Sequence, residues 1–95
     1  MTSASLKQAA RLISAGPQAV EAADEAQTQE DLRRAGNAFA HFMEVLAVTP
    51  VEDQRLAMDS RDERGNPPPT LADAFEAYRE AGLRVFDRCC LQASA

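Results

Sequence analysis

The chain contains no Trp, and Phe plus Tyr supply only five rings in 95 residues. This scarcity, set beside nineteen alanines, disfavours a sheet built on aromatic and β-branched side chains and favours closely packed helices. Only two cysteines are present, Cys89 and Cys90. Being adjacent, they cannot staple a loop as a small secreted disulfide scaffold does, which points to a reducing compartment. A single histidine, the absence of a nucleophile elbow and the absence of a glycine-rich phosphate loop leave catalysis without a recognisable set of groups. No run approaches the roughly 18 apolar residues of a membrane span. The opening Met1–Lys7 also lacks a charged segment followed by an apolar one, so a cytoplasmic location is expected.

Basic residues are missing from one stretch in particular. Residues 21–31 hold Glu21, Asp24, Glu25, Glu30 and Asp31 and no Lys, Arg or His. The rest of the chain balances, so the whole formal charge of −5 resides there. This segment also lacks any apolar side chain larger than alanine, which gives it a charged surface rather than a core face. An acidic balance disfavours nucleic-acid and anionic-membrane binding, both of which need cations to meet phosphates. It leaves basic proteins as partners. Arg33 and Arg34, which follow directly, are expected to offset part of the charge along the helix.

Punctuation divides what is present into four helices in a single domain over residues 1–95. Ser5 and Gln8 fit a capping box, and Gly16–Pro17 reads as the end of a first helix over 5–15. From Pro17 the helical reading continues to Val48, either as one long helix or as two segments divided near Thr28, where Thr28-Gln29-Glu30-Asp31 resembles a capping signal and a break or kink is expected. Leu32, Ala35, Phe39, Phe42 and Leu46 then alternate steps of three and four, lining one stripe of a helix over 28–48. Thr49-Pro50-Val51-Glu52 predicts a short third helix over 50–60, with Thr49 as cap, Pro50 at the first helical position and Glu52 reaching back. Residues 61–69 combine alternating charges, Gly65-Asn66 and three prolines, and read as an exposed loop.

Thr70-Leu71-Ala72-Asp73 opens the last helix, expected over 70–91. Leu71, Phe75, Tyr78, Gly82, Val85 and Cys89 form its packing seam, broadened by Ala74, Ala81 and Phe86. Within it, Glu80 and Arg84 have the spacing of a supporting ion pair. The expected architecture is an all-α bundle in which the two long helices, 28–48 and 70–91, pack antiparallel. Gly36 and Gly82 are candidates for close approach at their crossing, and two shorter helices complete the bundle. Leu6, Ala9, Ala10 and Ile13 offer a further apolar cover for the 28–48 helix.

The functional expectation is a non-enzymatic protein that binds another protein, as an adaptor, secretion chaperone or inhibitor. Glu21, Asp24, Glu25, Glu30 and Asp31 would select a basic surface, and Phe42 and Met43 would anchor it. No cofactor is implied. A metal- or redox-responsive sensor is the first alternative, since His41, Glu44, Cys89 and Cys90 are all competent ligands. A nucleic-acid mimic blocking a nucleic-acid-binding protein is a second, although five carboxylates are few beside the charge density of a duplex. Self-association, as a homodimer or structural subunit, is a third, prompted by the crowding of Phe39, Phe42, Met43, Val45 and Leu46.

Overall fold

The computed structural model describes residues 3–94, with side-chain surroundings for residues 7–90. Four helices and no strand occur among the described residues: α1 (Ser3–Glu25), α2 (Gln29–Val48), α3 (Val51–Asp59) and α4 (Leu71–Ser94). The molecule is elongated, 58 × 26 × 16 Å, and no helix is long and apolar enough to cross a membrane.

Local chemistry places two helix starts and one turn. Thr28 is extended and caps α2 through a complete capping box: its hydroxyl accepts from the Asp31 amide while the Asp31 carboxylate accepts from the Thr28 amide. Thr70 and Asp73 make the same reciprocal bonds at the start of α4. In the connecting loop, Oδ1 of Asp62 accepts from the amides of Arg64 and Asn66, and Gly65 takes a φ of 82° that a side chain would resist.

The α2–α3 corner is built differently from the expectation. Pro50 rather than Thr49 is the N-cap of α3, and no side chain caps it. Thr49 instead ends α2, its buried hydroxyl donating to the Val45 carbonyl. Gln54 closes the corner in place of Glu52, donating from Nε2 to the carbonyls of Leu46 and Thr49.

The largest departure is α1, which does not stop at Gly16 but runs 23 residues with Pro17 inside it. Ser5 therefore lies within the helix, and its side chain falls outside the described set. Pro17 removes an amide donor and crowds the preceding turn, a defect of about 3 kcal/mol. Continuous packing offsets it. Ala9, Leu12, Ala15 and Ala19 before and after the proline are all buried, and Ala23 and Ala26 extend the same face. Gly16 is not in the left-handed conformation; it serves close approach. A Cβ there would lie 3.3 Å from both the Phe42 ring and Pro69.

The bundle therefore has three long helices, not two. α2 runs antiparallel to α1, with Phe42 against Gly16, and antiparallel to α4, with Gln29 beside Cys89 and Phe39 beside Phe75. Leu12, Ala15, Ala19, Phe42, Val45, Ala57 and Ala74 form the larger core, and Ala23, Ala26, Ala35 and Ala81 a smaller, nearly all-alanine one. Cover for the apolar α2 face thus comes chiefly from α1, through Leu12 and Ala15, with Ala9 also buried; Ala10 is exposed, Ile13 sits at the edge of the cleft lined by Phe42 and Leu46, and the Leu6 side chain is outside the described set. On α4, the buried line is Ala74, Ala81 and Val85, whereas Phe75 and Phe86 are 55% and 65% exposed.

The two candidate glycines separate cleanly. A Cβ on Gly36 would meet the Tyr78 hydroxyl at 3.1 Å, while one on Gly82 meets nothing within 4 Å. Gly82→Ala should accordingly stabilise the monomer by about 0.5–1 kcal/mol through helix propensity. Gly36→Ala should gain less or lose, because Tyr78 stacks on Phe39 at 5.9 Å and has to shift. Urea unfolding of both variants at low protein concentration measures the difference.

Candidate functional site

The five carboxylates do not act as one surface. Asp31 is committed to the α2 cap, accepting from the amides of Gln27 and Thr28, and these bonds hold its carboxyl below the ordinary range. Glu30 is held by Arg33 at 2.5 Å and lies 3.8 Å from Arg34, the local balancing expected of that arginine pair. Both pairs are largely exposed, so each contributes little to stability. Glu21, Asp24 and Glu25 remain: all three are exposed, and no ion pair among the described residues reaches them.

These three acids line one side of a groove of about 700 Å³ between the second half of α1 and the 60–69 loop. Ile13, Pro17, Val20 and Pro67–Pro69 form its apolar floor, and Asp62 and Asp73 add carboxylates on the opposite side. Arg61 is the basic residue of the lining, and its guanidinium is engaged by the carbonyls of Met58 and Ser60. Ile13, Pro68 and Pro69 are shared with a smaller cleft of about 120 Å³, bounded also by Leu12, Phe42, Leu46, Ala57, Met58 and Leu71. The combined depression is acid-rimmed and apolar at its base. Pro17, costly within its helix, contributes a rigid part of that base.

Phe42 is corrected from exposed anchor to core residue: it is 3% exposed, with its ring closed over Gly16. It forms a wall of the small cleft and does not project. Met43 is exposed, but it lines neither the groove nor the cleft. The acidic segment and the apolar part of α2 are therefore not one continuous face.

Three carboxylates at the end of α1 oppose the helix dipole, and α1 has no basic residue in its last turn. The missing cation comes from α4. Arg84 donates from Nε and Nη2 to the Ala26 carbonyl at 3.0 and 2.8 Å and from Nη2 to the Ala23 carbonyl at 2.9 Å. Arg88 adds a longer bond, 3.4 Å, to the Gln27 carbonyl. Arg84 thus caps a helix some sixty residues away instead of pairing with Glu80, and the ion pair on this part of α4 is Glu76–Arg79. Sequence reasoning missed this role. The available signal was a helix end rich in acids with no local base.

The four candidate metal ligands do not converge. Cys89 is half-buried beside Gln29, whose Nε2 donates to its sulfur at 3.3 Å, and Cys90 is exposed. His41 lies twelve residues further along α2, roughly 18 Å by helical rise, against Arg11, Ser14 and Gln18. No group of three or more His, Cys, Asp or Glu suited to a metal ion occurs among the described residues.

Fold and groove together define a small all-α bundle with an acid-rimmed, apolar-floored depression. Comparison of the chain with protein-family models, with curated proteins and with solved structures finds no match.

Proposed function

We propose that this is a non-enzymatic protein that binds a basic, amphipathic segment of another protein in the groove between α1 and the proline-rich loop. Roles such as adaptor, secretion chaperone or inhibitor are compatible with that activity. The observation that carries the reading is the coincidence of unpaired acids with an apolar floor: Glu21, Asp24 and Glu25 stand over Ile13, Pro17, Val20 and Pro68. Carboxylates attract and orient Lys or Arg, while desolvated apolar contact supplies most of the affinity. The adjoining cleft suits a single aliphatic side chain. Prolines 67–69 favour a preformed wall, because their restricted backbone loses little freedom on binding.

The test is affinity capture from the native host at low salt, using wild type and the triple variant Glu21→Gln, Asp24→Asn, Glu25→Gln. A basic partner retained by wild type should bind the triple variant at least about tenfold more weakly, with a shallower dependence on salt. Failure to retain a stoichiometric partner, or equal affinity and equal salt dependence for the two proteins, would overturn the proposal.

A further inference from the structure

We infer that α4 carries a second, independent interaction surface, a self-complementary seam that pairs antiparallel with α4 of another copy of this chain. Phe75, Arg79, Gly82 and Phe86 are spaced four, three and four residues apart, which aligns them along one narrow stripe of the helix. That stripe lies roughly 110° around the helix from the buried line of Ala74, Ala81 and Val85. Phe75 and Phe86 are 55% and 65% exposed, and neighbouring Leu83 is 54% exposed.

The pattern is symmetric about the point between Glu80 and Ala81. Phe75 precedes that point by as many residues as Phe86 follows it, and Arg79 and Gly82 are related in the same way. A two-fold axis there sets Phe75 of one copy against Phe86 of the other, twice, and sets each Arg79 over the other copy's Gly82. Gly82 has open space where a side chain would stand, so the backbone offers a notch for the Arg79 stem.

Parts of the surface are already held in place. Phe75 leans on Phe39 of α2, with ring centroids 6.2 Å apart, and Arg79 is fixed by a two-nitrogen contact with Glu76. Such ordering lowers the entropy lost on association. The three exposed apolar side chains offer roughly 350 Å² per copy, judged from the 150–250 Å² that large rings bury. Doubled by symmetry, this supplies about half of the ~1,200–2,000 Å² typical of a specific interface. A second copy is the occupant favoured because the equal spacing about the axis sets ring against ring and the Arg79 stem against the open Gly82 backbone, twice over.

Sedimentation across ~1–200 µM protein tests the inference. Wild type should move from monomer towards dimer, and Phe86→Glu should remain monomeric with unchanged helical circular dichroism, since Phe86 makes little contact within its own chain. The register is tested separately in a Cys89→Ser, Cys90→Ser background that still dimerises. Mixing the Phe75→Cys and Phe86→Cys proteins under diamide should give the mixed disulfide in several-fold excess over either homodisulfide. A monomer throughout the concentration range, a dimer indifferent to Phe86→Glu, or homodisulfides in excess would each overturn it. Because the seam shares no residue with the acid-rimmed groove, these outcomes are independent of partner capture.

Discussion

Phe42→Ala should lower the melting temperature by about 15–30 °C, the largest effect expected of any single side-chain truncation in this chain. Phe42 is the one large ring at the centre of the main core, 3% exposed and in van der Waals contact with Gly16. Truncating a buried Phe typically costs about 3–5 kcal/mol, combining lost transfer energy with the cavity left behind. In a domain of this size each kcal/mol corresponds to roughly 4–8 °C. Four of the six other residues of the buried core are alanines, which cannot reach into the vacated space, while Leu12, Leu46 and Leu71 beside the ring can take up only part of it. Differential scanning calorimetry measures the shift. A change below about 5 °C would show Phe42 to be a surface residue and would revive its role as a partner anchor.

Arg84→Met should cost about 2 kcal/mol and loosen the end of α1 selectively. Methionine keeps much of the packing of the arginine stem but removes every donor, leaving the carbonyls of Ala23 and Ala26 without their cationic partner. Hydrogen bonds from charged groups to partly buried acceptors contribute about 1.5–3 kcal/mol, and the site's partial exposure argues for the lower half of that range. Amide exchange over residues 22–28 should accelerate more than exchange over the middle of α2. Arg84→Lys should recover only part of the loss, since an ammonium group lacks the planar fork that spans two carbonyls. Uniform acceleration across all helices would show that Arg84 acts only through general packing. Retained protection in residues 22–28 would show that water replaces it.

Features governed by neighbours within a few residues were legible from the chain. The Thr28 and Thr70 caps depend on a hydroxyl and a carboxylate three positions apart, and both form as expected. The 61–69 loop follows from its prolines and glycine. The stripe of Leu32, Ala35, Phe39, Phe42 and Leu46 read on α2 is the face that packs, with Ala35 and Phe42 buried and Leu32, Phe39 and Leu46 half-buried, but the assignment of Phe42 to partner contact is overturned. Gly16–Pro17 misled because glycine followed by proline is a common helix-ending signal, and only their surroundings show otherwise. On α4, period alone could not choose between two adjacent faces of similar apolar content. The alanine face is buried, because small side chains let α1 and α2 approach together, and this turns Phe75 and Phe86 outward.

The candidate site was half legible. Clustering of acids between residues 21 and 31 was visible, yet their division was not: Asp31 is used by a cap, Glu30 by two arginines, and three acids stand over the groove. The groove floor joins Ile13 and Val20 to Pro67–Pro69, segments separated by some fifty residues, and no local rule connects them.

By itself, the sequence determined an all-α chain, its four helical segments, the exposed charged loop and a single concentration of negative charge. These depend on capping, helical period and backbone restriction, which act over a turn or two. Tertiary structure alone decided that α1 persists through Pro17, that α1 rather than α4 chiefly covers α2, and that Arg84 completes a distant helix end. Those outcomes balance a local cost of a few kcal/mol against burial summed along whole helix faces, and that sum exists only once the faces meet.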